Sequence, residues 1–329
     1  MAVVATGFFD GVHLGHRQVI RTLVSSARER GEEAIVVTFA PHPRAVLQQD
    51  AHSLRLLNSP QEKEAMLREL GVDRVETLRF DRAFARLTAE DYLRSVLIGR
   101  FGATLLVLGF DNRLGSDRLT PDAIAPLAQS LGLEVIVVPP ATAPQVASDS
   151  SRQFERSEVR ISGPAGPGTL PEVKSERGLR PQGVTGGGAP FISSTRIRRA
   201  LEEGRVEEAE AMLGYAYGLR GVVVSGKQLG RTIGFPTANL RLYDPLKLIP
   251  ARGVYLTEVE VLGGHFWGMT NVGEPIETHI FDFDEDIYGL DLEIRFRRWL
   301  RPMRAMESLD ALKAQLAADD SACRDILAL

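Results

Sequence analysis

The sequence VVATGFFDGVHLGH, Val3 to His16, changes from an apolar β-rich run into a segment that is typical of a helix start. Gly11 and Gly15 let the backbone approach a bound group closely, and the first N–H groups of a helix are free to bind phosphate. His13 and His16 place two imidazoles at the same opening. Such donors can stabilise charge on a phosphate during in-line attack. The stretch therefore predicts a phosphate-binding turn between a strand and a helix.

The rest of the first 140 residues repeats this alternation of strand and helix. Helical stretches separate the later β-rich runs AIVVTF, RVETLRF, TLLVLGF and VIVVPP. Such alternation predicts a Rossmann-like α/β domain with a parallel, doubly wound sheet and crossover helices. Ligands of such sheets bind at the carboxyl ends of the strands, which is where the turn after Val3–Thr6 lies.

The segment 141–190 interrupts the alternation and is rich in Pro, Gly and polar residues. Such a composition cannot bury enough apolar surface to order itself, so we predict a flexible insertion. A helical pattern returns in ISSTRIRRALEEGRVEEAEAMLG, residues 192–214, where Ser and Thr precede the first turn as helix caps do. We assign residues 1–216 to the first domain.

From residue 217 the pattern is that of short strands. The runs LRGVVVSG, GVYLTEVEV, HFWGMTNV, ETHIFDF and LEIRFRRWL are separated by Gly, Pro and Asp turns, which predicts an antiparallel barrel or sandwich. C-terminal helices begin near Ser308. Residues 217–329 form a second domain, as expected for a chain of 329 residues.

The composition limits the kinds of partner. The net charge of -4 gives no basis for sequence-independent binding to nucleic acid, and one cysteine, Cys323, excludes an internal disulfide or a Cys-based zinc cluster. No apolar run approaches the roughly 20 residues that cross a bilayer, and the N-terminus lacks the pattern of a secretory signal. We expect a cytoplasmic protein with small-molecule ligands and no membrane partner. Its oligomeric state stays open.

The string GFFDGVHLGH, residues 7–16, resembles the HxGH motif of the nucleotidylyltransferase superfamily, in the version carried by prokaryotic FAD synthetases. ISSTRIR, residues 192–198, is similar to a second element of that superfamily, and its hydroxyls and arginines at a helix start suit a leaving pyrophosphate. The strings TFAPHP, EKEAMLRELGVD and LVLGFDNRLG, which begin at Thr38, Glu62 and Leu106, extend the resemblance.

The resemblance implies roles for these residues. His13 and His16 are the expected catalytic residues, and Phe39 and His42 are expected to lie toward the flavin. The expected nucleotide and phosphate contacts are Gly7, Phe8, Asp10, Gly11, Gly15, Asp111, Ser193, Ser194, Thr195, Arg196 and Arg198. Ala40 and Asn112 stand where the family commonly has Asp and an aromatic residue, which leaves open how FMN is held.

GKQLGRTIGFPTANL, residues 226–240, resembles the signature of riboflavin kinases. Gly230 and Gly234 permit a loop close to phosphate, and Thr237 and Asn239 offer hard oxygen ligands suited to Mg²⁺. GMTNVG and ETHIFDFDEDIYG, which begin at residues 268 and 277, are similar to further kinase strings. The resemblance implies that Glu277 is the base, that Arg231 contacts phosphate and that Asn271 contacts the flavin.

Together these motifs resemble those of the prokaryotic bifunctional riboflavin kinase/FAD synthetases. The resemblance implies a transferase that phosphorylates riboflavin to FMN with ATP and Mg²⁺, and then adenylylates FMN to FAD with release of pyrophosphate. Relatives usually carry a longer stretch between the equivalents of Gly273 and Glu277, where this chain has three residues. Two alternatives therefore stay open: loss of one activity, above all the kinase, or a non-catalytic flavin or nucleotide sensor.

Overall fold

The computed structural model describes residues 1–42, 46, 55–142, 191–226 and 229–328. The insertion predicted at 141–190 therefore lies outside the described residues from position 143 onward.

The N-terminal part is a parallel α/β domain. Its elements, in chain order, are β1 Ala2–Thr6, α1 Leu14–Arg30, β2 Glu33–Ala40, α2 Pro60–Glu69, β3 Arg74–Arg79, α3 Ala89–Asp91 with a π-helical continuation Tyr92–Ile98, β4 Ala103–Gly109, α4 Pro121–Ser130 and β5 Glu134–Val138. The five strands pair in parallel in the order β3-β2-β1-β4-β5. This confirms the predicted doubly wound sheet.

Helices cover both faces of this sheet because the strands are apolar on both sides. Ile20 and Leu23 of α1 pack with Leu67 of α2 on one face. Leu93 and Ile124, from the π-helical segment and α4, pack on the other face. The turn after β1 therefore opens at the carboxyl edge of a sheet that is buried on both faces.

Two helices lead from this domain into an antiparallel β-barrel. The elements that follow are α5 Ser194–Glu202, α6 Val206–Leu213, β6 Gly218–Val224, α7 Leu229–Thr232, β7 Ala238–Leu242, β8 Gly253–Val261, β9 Gly264–Val272, β10 Ile276–Ile280, β11 Asp291–Pro302 and α8 Leu309–Leu327. The barrel closes in the order β10-β7-β6-β11-β8-β9. Of the barrel and sandwich predicted from the sequence, the barrel is correct. The short strand β7 was not predicted.

One helix, α8, packs on the outside of the barrel in the described chain, where C-terminal helices were predicted. Cys323 on α8 is fully buried against Leu256 and Met269, as expected for a small apolar residue. A buried ion pair between Arg301 and Asp319, at 2.6 Å, ties α8 to β11. No helix among the described residues is long and apolar enough to span a bilayer.

The two domains share one hydrophobic core. A single buried cluster includes Leu57 of the first domain, Leu213 of α6 and Tyr217 and Leu219 of the barrel. The boundary expected between residues 216 and 217 therefore runs through a continuous core.

Main-chain hydrogen bonds reinforce this junction. The N–H of Leu56 donates to the carbonyl of Leu246, and the N–H of Leu248 donates to the carbonyl of Leu56, both at 2.8 Å. Lys247 is buried between them and pairs with Glu62 of α2 at 2.5 Å. The segment that begins at Leu56 therefore bonds directly to the barrel.

Candidate active sites

A cavity of about 950 Å³ opens at the carboxyl edge of the parallel sheet. Most residues predicted for nucleotide transfer line it: Gly7, Phe8, Asp10, His13, Gly15, His16, Phe39, His42, Asp111, Ser193, Ser194, Thr195 and Arg198. Gly11 and Arg196 were also predicted but do not line its wall. Segments about 180 residues apart in sequence thus meet at one site.

His13 and His16 form a stacked pair at the start of α1. Their ring centroids lie 3.6 Å apart, and Nδ1 of His13 caps the helix by accepting the N–H of His16 at 3.2 Å. Because this Nδ1 is an acceptor, the proton of a neutral His13 is on Nε2. Nδ1 of His16 is buried and has no hydrogen-bond partner among the described residues.

Burial keeps both imidazoles neutral. Desolvation lowers the pKa of His13 to about 4. The pKa of His16 falls well below its ordinary value, first because of desolvation and then because protonated His16 would be repelled by protonated His13 and by Lys63. At neutral pH both rings are therefore uncharged, and each can donate one N–H hydrogen bond.

Asp10 links several segments around the cavity through hydrogen bonds and an ion pair. It is buried, and its carboxylate accepts the N–H groups of Leu57 at 3.0 Å and Asn58 at 3.3 Å and pairs with Arg198. Arg198 also donates to the carbonyl of Arg55 at 3.0 Å. Burial raises the pKa of Asp10, while Arg198 opposes this shift. Both residues border the cavity, but their charges are largely directed at each other.

The start of α5 provides the second group of donors. Ser193 caps the helix by accepting the N–H of Arg196 at 3.4 Å, and the hydroxyl of Ser194 donates to the carbonyl of Asp10 at 2.8 Å. The guanidinium of Arg196 donates to the carbonyl of Phe191 at 2.6 Å, away from the cavity wall. The helix start thus presents hydroxyls and free first-turn N–H groups to the cavity.

An aromatic wall forms the side of the cavity nearest β2. The rings of Phe39, Phe80, Phe84 and Tyr92 pack with centroids 5.6 to 6.3 Å apart, and all four line the cavity. Only Phe39 was predicted from the sequence. Phe80 and Phe84 lie just after β3, so strand-end aromatic residues were the available signal. This wall suits a flat, largely apolar ring system.

Asn112 explains one of the two departures from the family pattern. Its side chain accepts the N–H of Gly109 at 2.9 Å and donates to the carbonyl of Thr6 at 3.0 Å. Asn112 thereby joins the carboxyl ends of β4 and β1. In this chain the position therefore holds a polar brace between two strand ends. Nothing in the structure explains Ala40.

A row of polar side chains crosses the outer face of the barrel. Glu277 of β10 pairs in register with Asn239 of β7 and with Asn271 of β9. Residues directly opposite in antiparallel strands share a face, so the three side chains are neighbours. Ile276 and Thr278, on either side of Glu277, are buried inside the barrel. The short connection after Gly273 therefore still places the predicted base beside both predicted carboxamides.

Thr237 immediately precedes β7 and lies two residues before Asn239. With Arg231 it borders a second cavity of about 330 Å³, walled by the segment 283–288. Glu277 and Asn239 lie beside this cavity and are not part of its wall.

Two glycines are required for close packing here. A Cβ at Gly226 would lie 2.3 Å from Nδ2 of Asn239, and one at Gly230 would lie 2.2 Å from the carbonyl oxygen of Phe235. The glycine-rich loop can therefore pack directly on the polar row only because these positions lack side chains.

Two protein-family models match the chain: FAD synthetase over residues 1–152 and riboflavin kinase over residues 213–327. The bifunctional riboflavin kinase/FMN adenylyltransferase of Listeria monocytogenes is 33% identical, over 99% of this chain and 92% of its own length. The protein of the same name from Escherichia coli is 32% identical, over 99% and 93%. A crystal structure titled as a macrolide-efflux protein from Streptococcus pneumoniae matches with a TM-score of 0.79 and 32% identity, over 98% of this chain and 93% of that one. On this identity and coverage, and with both family models matched, the chain belongs to the family of bifunctional riboflavin kinase/FMN adenylyltransferases.

Proposed function

We propose that the barrel domain phosphorylates riboflavin to FMN with ATP, and that the α/β domain then adenylylates FMN to FAD and releases pyrophosphate. The observation that carries this proposal is the larger cavity, in which the stacked histidines, the start of α5 and an aromatic wall meet. We assign residues 1–216 to adenylyl transfer and 217–329 to phosphorylation, in accord with the order of the two family matches.

In the larger cavity, an oxygen of the FMN phosphate attacks the α-phosphorus of ATP. His13 and His16 donate hydrogen bonds to the oxygens on which charge develops, and Ser193, Ser194 and Thr195 at the start of α5 receive the pyrophosphate. The aromatic wall and His42 hold the flavin ring. Because both imidazoles are neutral, the site contributes oriented dipoles and geometry, with no covalent intermediate.

In the barrel, Glu277 accepts the proton of the riboflavin 5′-hydroxyl as the γ-phosphoryl group is transferred. Asn271 lies beside it on the flavin side, and the loop with Gly230, Arg231 and Gly234 holds the phosphates. A carboxylate in register with two carboxamides can orient the hydroxyl before it reacts.

Thr237 and Asn239 are suitable ligands for Mg²⁺. Hydroxyl and carboxamide oxygens are hard donors, and Mg²⁺ is usually bound by one or two protein groups together with substrate phosphates. When bound, Mg²⁺ neutralises phosphate charge.

The test is to incubate the protein with ATP and Mg²⁺ and either riboflavin or FMN, and to resolve the flavins by chromatography. Wild type should form FMN and then FAD. Glu277→Gln should block FMN formation but still convert supplied FMN to FAD. His13→Ala should still form FMN from riboflavin but should not convert FMN to FAD. If wild type forms no product from either flavin, the enzyme proposal fails and a sensor is favoured.

A chain that has lost its kinase would give FAD only from supplied FMN. This alternative is less favoured, because the riboflavin kinase match spans the short connection and Glu277 keeps its register with Asn239 and Asn271.

A further inference from the structure

Lys63 on α2 is a buried cation directly behind the larger cavity. Its side chain is 7% exposed. The ammonium group donates to the carbonyl of Phe8 at 3.1 Å and to Oγ1 of Thr38 at 3.0 Å, and it lies 4.3 Å from the centroid of the Phe8 ring. Phe8 lines the cavity and Lys63 does not. A buried ammonium is unfavourable unless its donors are satisfied, and here two oxygens and a ring face satisfy them.

The loop that Lys63 contacts has an unusual backbone. Phe9 and the β-branched Val12 have positive φ angles of 51° and 34°. Residues without the freedom of glycine rarely adopt this conformation, and it persists where surrounding groups fix it. Lys63 is one of the groups that fix it, since it binds the carbonyl immediately before Phe9.

Side chains from other elements hold three further carbonyls of the loop. Ser194 donates to Asp10 at 2.8 Å, Tyr215 donates to Gly11 at 2.8 Å, and Arg17 donates to Val12 at 3.1 Å. These carbonyls are thus bound by side chains from outside the loop. The loop is followed directly by the start of α1, whose first N–H groups are free. Of the two charged members of this set, Lys63 is the buried one and Arg17 is partly exposed.

Lys63 also changes the charge beneath the site. Arg198 pairs directly with the buried carboxylate of Asp10, and Lys63 is a second cation that interacts electrostatically with the same carboxylate. Burial lowers the pKa of Lys63 to about 8, so the ammonium group is mostly charged at neutral pH and these three side chains together carry a net positive charge. A positive excess beneath a cavity attracts a triphosphate and disfavours protonation of His16, whose pKa Lys63 helps to lower.

We propose that Lys63 is a positioning residue for adenylyl transfer, which fixes the phosphate-binding loop through the carbonyl of Phe8 and supplies positive charge for ATP without touching the substrate. This inference rests on the proposed function of the larger cavity. In the sequence, Lys63 lies among other charged residues of a helix and cannot be told from a surface lysine.

The test compares Lys63→Met and Lys63→Arg with wild type, using Lys313→Met on the exposed face of α8 as the matched control. For each protein, kcat and the KM for ATP are measured in FAD formation from FMN and in FMN formation from riboflavin. The second reaction reports the folding of the same molecules.

We expect Lys63→Met to lower kcat for FAD formation by about a hundredfold, because misplacing a reacting group by an ångström has effects of that order. We expect its KM for ATP in that reaction to rise by about tenfold, from loss of a nearby charge. FMN formation should stay within about twofold of wild type, and Lys63→Arg should recover most of the loss because it retains the charge. Partial unfolding alone would reduce kcat but leave KM for ATP unchanged.

The proposal is overturned if Lys63→Met forms FAD with unaltered constants, or if only kcat falls and arginine restores nothing. If Lys63→Met also loses FMN formation, Thr38→Val decides, since it removes one acceptor of the ammonium group at nearly constant volume. A several-fold loss of FAD formation then supports the proposal, and no loss overturns it. Absence of FAD formation in wild type would instead refute the proposed function itself.

Discussion

Because burial keeps His13 neutral, His13→Asn should change the pH dependence of the free energy of unfolding by an amount that can be worked out. Asparagine is a favourable helix cap, so this change keeps the hydrogen bond to the N–H of His16 but removes the titrating ring. The buried His13 has a pKa lowered to about 4 in the folded protein, against 6.5 for an unperturbed imidazole. The unfolded chain therefore binds more protons than the folded protein between these two values.

The sign and size of the effect follow from proton linkage. The contribution of neutral His13 to stability is complete above pH 6.5 and is lost as the pH falls toward 4. At pH 5 the loss amounts to about 2 kcal/mol, from about 1.4 kcal/mol per pH unit over the window. His16 adds a loss of the same sign, which His13→Asn leaves in place.

The assay is urea unfolding followed by circular dichroism at pH 7.5 and at pH 5. We expect the loss of stability on acidification to be about 2 kcal/mol smaller in His13→Asn than in wild type. His265→Asn, at an exposed position on β9, is the matched control and should behave as wild type. If His13→Asn keeps the full wild-type loss, His13 is not held neutral by burial, and the role of the histidines as neutral donors is refuted.

Three further predictions concern other parts of the molecule. Asp10→Asn leaves Arg198 without its charged partner and should cost about 3 kcal/mol of unfolding free energy in urea, together with most FAD formation. Burial raises the pKa of Cys323 to about 12, so its thiol should react with a disulfide reagent at pH 8 about a hundredfold more slowly in the native protein than in urea. Gly226→Ala places a Cβ against Asn239 and should raise the KM for ATP in FMN formation by about tenfold but leave FAD formation from FMN unchanged.

The sequence predicted the parallel sheet because strand and helix periods alternate regularly through the first domain. It did not reveal β7, since ANLRL is short and follows a stretch with the glycines and proline of a loop. Closure of the barrel depends on this strand, which joins β10 to β6. The sequence therefore could not separate a barrel from a sandwich.

The parts of the candidate site that the sequence predicted best are those where main-chain N–H groups at a turn or a helix start are the expected ligands of phosphate. The turn at residues 7–16 and the start of α5 lie together, because strand ends meet at one edge of a parallel sheet. Residues that act through distant partners were harder to predict. The position of Phe80 and Phe84 just after a strand did not indicate that they pack with Phe39 and Tyr92. Nothing in the sequence indicated that Asp10 binds main-chain N–H groups and an arginine.

The shared core has a consequence for any attempt to separate the two activities. A cut between residues 216 and 217 would divide one buried cluster and expose Leu213 on one fragment and Leu219 on the other. The riboflavin kinase match begins at residue 213, within the last turn of α6. Nearly all of α5 and α6 therefore lies outside this match, yet both helices contribute to the buried cluster of the barrel, so a stand-alone barrel would need them as its cover. The α/β half would then lose the start of α5 and Tyr215, which hold the loop at residues 8–12. A kinase could therefore be detached from this chain more readily than an adenylyltransferase.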